Sequence, residues 1–109
     1  MPCYYTYRYY TDTIEESQLM YLTGAASRIG AAVGNTTEGF RVNFADGTTA
    51  SISRQRNSSK ASISSRNEDS VGALMQELVV SKLRATLELE GKSVERKDVK
   101  GNIELTVSE

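Results

Sequence analysis

Apolar and polar positions along the chain change period several times. Residues 3–10 (CYYTYRYY) are rich in strand-forming side chains and end at Thr11-Asp12, which predicts a strand. Alternation puts Cys3, Tyr5, Tyr7 and Tyr9 on one face and Tyr4, Thr6, Arg8 and Tyr10 on the other. The arginine marks the second face as the open one. From Ile14 the period becomes helical. Ile14, Tyr21, Leu22, Ala25, Ala26, Ile29 and Val33 share one side of a helix. Thr13 with Glu16 has the form of a capping box, Glu15 and Glu16 suit a helix start, and Gly34-Asn35 supplies a stop. The spacing therefore predicts a helix over 14–33, weakened by Gly24 and Gly30.

Phe40, Val42 and Phe44 then alternate up to Asp46-Gly47, a strong hairpin signal, with a return strand over 48–54. The polar stretch 55–60 reads as a loop, and 61–64 as a further short strand. A second helix starts at 67–70 with Glu68 and Asp69 in its first turn, and Gly91 closes it. Its apolar residues (Val71, Leu74, Met75, Leu78, Val79, Leu83, Ala85, Leu87 and Leu89) cover well over a third of the circumference. One sheet needs less than that. The surplus arc at Val79, Leu83 and Leu87 predicts a partner surface, hence a homo-oligomer. The chain ends in a hairpin, 94–98 and 103–107, turned at Lys100-Gly101-Asn102.

The order β-α-β-β-(β)-α-β-β predicts a single α+β domain over 1–109. Its expected form is an antiparallel sheet of five or six strands with two helices on one face. No repeat, linker or boundary interrupts the pattern.

Composition narrows the chemistry. The chain of 109 residues is 39% hydrophobic and 25% charged, which suits one globular domain and argues against disorder. A net charge of −1 supplies no bulk attraction to nucleic acid or membrane. The single cysteine, Cys3, excludes an intrachain disulfide, and the absence of a signal-peptide pattern points to the cytoplasm. No apolar run has the length of a membrane span. There is no histidine, so imidazole-based triads and the usual zinc sets are excluded. Cys3 has no base partner, and Glu15-Glu16 and Glu68-Asp69 read as helix-start acids. No enzyme, cofactor or metal is expected.

Thr23-Gly24-Ala25-Ala26-Ser27-Arg28-Ile29-Gly30 resembles the glycine-rich nucleotide fingerprint of short-chain dehydrogenases. The motif needs a preceding buried strand, whereas 15–22 is charged and helical in period. The span from Gly30 to Gly39 is also too short for a crossover helix. The residues Gly24, Ser27 and Ala31 read instead as a small-residue helix face, either plain surface or a packing site for a partner.

Between Asp46 and Glu68 there is no acid, while Arg54, Arg56, Lys60 and Arg66 are present among serines, threonines and asparagines. Charge beside hydroxyl donors is what a phosphate needs; the plain alternative is a solvated hairpin tip. The tyrosine strand, with Tyr4, Arg8 and Tyr10 on its open face, offers stacking to a nucleic acid or ordinary cross-strand packing.

The layout also resembles a family of small bacterial, chloroplast and phage proteins of unknown function. The resemblance rests on the Met-x-x-aromatic opening, the acid-capped helix, the Asp46-Gly47 hairpin, the long helix and Gly101-Asn102-Ile103-Glu104-Leu105-Thr106-Val107. It departs from them in lacking a tryptophan in the middle hairpin, and it implies no activity.

The leading expectation is a non-enzymatic, oligomeric module for a phosphorylated or acidic ligand, a nucleotide or nucleic acid, bound through 54–66. Such a chain suits a phage accessory protein. The alternative is a protein–protein inhibitor or adaptor acting through the tyrosine strand or the small-residue helix face.

Overall fold

A computed structural model describes residues 9–109. Tyr4 and Arg8, with most of the tyrosine-rich segment, lie outside the described residues. In chain order the elements are β1 (Tyr10–Glu15), a 3₁₀ segment (Glu16–Tyr21), α1 (Leu22–Arg28), β2 (Ala32–Asn35), β3 (Gly39–Asn43), β4 (Thr49–Arg54), β5 (Lys60–Ser65), α2 (Glu68–Leu89), β6 (Ser93–Val99) and β7 (Asn102–Ser108). Strands β1 to β5 form one antiparallel sheet in the order β1-β5-β4-β3-β2. β6 and β7 form a separate two-stranded sheet. The α+β class and the antiparallel sheet are as expected, with the last hairpin standing apart.

Strand alternation builds the core. Ile14, Val42, Ala50, Ile52, Ala61 and Ile63 point to one face of the sheet, where Leu22, Ala25 and Ala26 of α1 and Val71, Leu74 and Leu78 of α2 bury them. Each large aliphatic side chain buried this way is worth about 1.5–3 kcal/mol.

The first helix is shorter than the spacing predicts. Ile14 belongs to edge strand β1, and no side chain caps the 3₁₀ segment that follows. The helix ends at Arg28 and is stopped by Gly30, four residues before Gly34. Gly30 has φ +74°, its N–H donates to Ser27 O (3.1 Å), and Ala31 N–H donates to Ala26 O (2.8 Å). That double bond is a Schellman stop, which requires a left-handed residue and so favours glycine. Gly34 and Asn35 then fall in β2. Gly24 and Ser27 are exposed on α1, but Ala31 lies past its end and packs against the core. The expected small-residue helix face is therefore not formed.

Of the faces expected along 3–10, only those of Tyr9 and Tyr10 fall among the described residues, and these two are the opposite of expectation; the described strand begins at Tyr10 instead of ending there. Ile14 fixes β1, so Asp12 and Tyr10 share its inward side, and Tyr10 packs against the core. Tyr9 points away and is 60% exposed.

The second helix runs as expected from Asn67, whose side chain accepts from Ser70 N (3.0 Å). Its buried residues are Val71, Leu74, Glu77 and Leu78. Beyond Leu78 none is buried. At about 33 Å of helix against strands about 20 Å long, α2 overhangs the sheet. Val79 and Leu83 stay 53% and 47% exposed, and Leu87 is half-buried. No helix among the described residues is long and apolar enough to cross a membrane.

Candidate functional site

The helices cover one face of the five-stranded sheet. The residues that alternate with the core make up the other face. The registers set Thr11, Ser64, Ser51, Arg41 and Gly34 in one row across the five strands. Thr13, Ser62, Ser53 and Gly39 form the next row. Glu15 faces Lys60 beyond the second row, and Thr49 faces Asn43 beyond the first. Hydroxyl side chains thus dominate this face, and Thr11 and Ser64 bond to each other (3.2 Å). No carboxylate lies in either row. Arg41 is exposed and lines an open hollow of about 290 Å³ with Thr36, Thr37, Glu38, Ser51 and Ser53.

The middle of the face is built twice from one tetrapeptide. Ala50-Ser51-Ile52-Ser53 on β4 and Ala61-Ser62-Ile63-Ser64 on β5 pair antiparallel, with Ile52 against Ile63. Both isoleucines are buried, and all four serines face outward. The sequence itself carries this repeat, against the expectation of none, although four residues are too few to define a structural period. The signal for Arg41 is also present in the sequence, because inward Phe40, Val42 and Phe44 imply that it points out.

The basic residues expected to act together are divided. Arg54, Arg56 and Lys60 lie at the β4–β5 turn, whereas Arg66 follows β5 at its other end, about 20 Å away along a strand of this length. The fold also brings acids to the turn. Glu16 approaches Arg54 at 3.7 Å, and Glu15 faces Lys60 across the ladder. Arg54 also stacks over Phe40, 5.4 Å from the ring centroid. Arg56 sits in the exposed turn. The absence of acid in the sequence between Asp46 and Glu68 therefore does not leave these bases without acidic neighbours in space.

At the far end, Arg66 lies over the Tyr9 ring at 5.4 Å and donates to its hydroxyl (3.3 Å). With Gly47, Thr48 and Thr49 they border a cleft of about 360 Å³. Beneath it, Asn67 donates to Asp46 Oδ2 and to Thr48 Oγ1, both at 2.8 Å. Bonds from the Thr48 side chain and backbone, with the Asn67 bond, hold the Asp46 carboxyl below its ordinary pKa. Tyr10 lies on the helix-covered side of the sheet, away from the hydroxyl rows. Its hydroxyl donates to Asp12 Oδ2 (2.7 Å), which raises the tyrosine's pKa and lowers the aspartate's.

Among the described residues no three His, Cys, Asp or Glu side chains gather as metal ligands, and no buried polar side-chain atom lacks a partner. Of the expected interface residues, Val79 and Leu83 share an apolar hollow of about 260 Å³ with Gln18, Lys82 and Thr86. Comparison with protein-family models, curated proteins and solved structures finds no match to this chain.

Proposed function

We propose that this domain is a non-catalytic binding module that takes up an anionic ligand, a nucleotide or nucleic-acid phosphate, on the open face of its sheet. The observation that carries the reading is the pair of hydroxyl rows, the first of which holds Arg41, with no carboxylate in either. Hydroxyls donate to phosphoryl oxygens, and a guanidinium binds them bidentately without losing its charge. Small side chains also let a ligand approach the sheet closely. Lys60 and Arg66 flank the rows at opposite ends. The binding surface is thus moved from the 54–66 segment to the face that this segment helps to build. Kinship with the small proteins the layout resembles belongs to the same proposal and adds no activity.

The test is titration of labelled single-stranded oligonucleotide, mononucleotide and polyphosphate at low and moderate salt. Wild type is expected to bind at least one of them with steep salt dependence. Arg41→Gln should weaken binding about tenfold, the lower end of what one charge-assisted contact contributes, while Arg56→Gln in the turn should change it little. Absence of binding to all three at low salt, or full binding by Arg41→Gln, overturns the reading.

The exposure of Val79 and Leu83 favours a second reading, docking of a protein partner on α2. Such a contact would persist at high salt.

A further inference from the structure

We propose that the outer edge of β7 pairs with the same edge of a second copy of this chain, joining two C-terminal hairpins into one four-stranded antiparallel sheet. The pair Val99–Asn102 closes a two-residue turn in which Lys100 and Gly101 both have positive φ, 47° and 80°. In such a hairpin the closing pair exchanges both backbone bonds, and bonded pairs recur at every second residue. Asn102, Glu104, Thr106 and Ser108 therefore bond to β6. Ile103, Leu105 and Val107 direct their N–H and C=O groups outward. The side chains of the same three residues form the apolar half of one hairpin face, opposite Asp98, Arg96 and Val94.

This edge is complementary to itself. A two-fold axis at Leu105 sets Ile103 against Val107 of the second copy and Leu105 against its own counterpart, with every outward group bonded. Glu104 falls opposite Thr106 of the second copy, so no like charges meet directly, and Lys97 of the same hairpin already faces Glu104. The joined sheet has six apolar side chains at its centre and Arg96 and Asp98 toward its margins, the anatomy of a specific interface.

The other outer strands carry features that discourage pairing, such as short length, glycine or an inward charge. β2 has four residues and includes Gly34, and β1 carries Asp12. The outward-bonding positions of β7 hold neither charge nor proline. The hairpin also gains from company. Two strands alone are marginal, and three or more with an apolar face are stable. In one chain Val107 remains 43% exposed, and Ile103 and Leu105 are only half-buried.

The experiment is sedimentation of the full chain from low micromolar to submillimolar concentration, with far-UV dichroism to follow the fold. Wild type is expected to dimerise. Leu105→Lys and Leu105→Glu should each sediment as monomers, since each places like charges face to face on the axis. An equal mixture of the two should recover the dimer, a result specific to a Leu105–Leu105 contact. Independently of any variant, amide exchange at Ile103, Leu105 and Val107 should slow as wild-type concentration rises. A monomeric wild type, a single variant that dimerises like wild type, a mixture that stays monomeric, or exchange at those amides unchanged by concentration each overturns the proposal. Loss of the dimer in Val79→Ser/Leu83→Ser with these variants behaving as wild type would assign self-association to α2 instead.

Discussion

Arg96 on β6 grips Glu77 on α2 with two hydrogen bonds, Nη1 to Oε2 at 2.8 Å and Nη2 to Oε1 at 2.6 Å. The two side chains are only 12% and 9% exposed, and Asp98 accepts a third bond from Arg96 Nε at 2.8 Å. These contacts raise the guanidinium's pKa, Glu77 first and Asp98 second, so the arginine stays charged across the accessible range. Truncating one partner leaves the other charge stranded, a loss of about 3–5 kcal/mol in a buried pair. Arg96→Ala should therefore lower the melting temperature more than the double change Arg96→Met/Glu77→Leu does. Equal losses in thermal melts would show the pair to be incidental to hairpin docking.

Gly39 admits no side chain. A Cβ built there would collide with the carbonyl oxygen of Ile52 on the paired strand. Backbone cannot yield as a flexible side chain does, so Gly39→Ala should cost about 3–4 kcal/mol, the upper range for single substitutions. Urea unfolding measures this directly, and a loss under about 1 kcal/mol would mean that β3 and β4 slide apart at little expense.

Gly24 behaves oppositely. It is exposed within α1, and a Cβ there meets nothing. Gly24→Ala should stabilise the domain by about 0.5–1 kcal/mol, because alanine loses less freedom on entering a helix. A lowered melting temperature would revive a tight contact or a nucleotide turn at this position.

Asp46 ties the β3–β4 turn to the start of α2 through Thr48 and Asn67. Its pKa in the folded chain is lowered. A carboxylate lowered in this way stabilises the fold fully above its unfolded pKa, and that stabilisation disappears as pH falls through the lowered value. Unfolding midpoints should therefore decline between roughly pH 5 and pH 2, with Asp12 and Asp98 sharing the slope. Asp46→Asn should reduce that decline, and a variant with the wild-type slope would rule the tie out.

Much of the fold could be read from periodicity, and the exceptions have physical causes. The Phe40-Val42-Phe44 alternation, the Asp46-Gly47 turn and the second helix are all where the pattern places them. There the local signals agree with the packing. The first helix failed because Ile14 and Val33 fit a helical stripe as well as they fit a strand. The choice was made by tertiary pairing, Ile14 with Ala61 and Val33 with Val42. The division of Arg66 from Arg54, Arg56 and Lys60 was hidden for a related reason. Neighbours in sequence along an extended strand are carried apart, while Glu16 arrives beside Arg54 from a distant part of the chain. The hydroxyl rows become visible only once four registers are known.

The doubled Ala-Ser-Ile-Ser unit has a consequence for how an elongated ligand is met. Because the two copies run in opposite directions about Ile52 and Ile63, the four serines present a locally palindromic surface. A strand laid across it encounters the same groups from either end, so the centre of the face has no polarity. Any preference for one orientation must come from what breaks the palindrome, Arg41 beside β4 on one flank and the Glu15–Lys60 pair on the other.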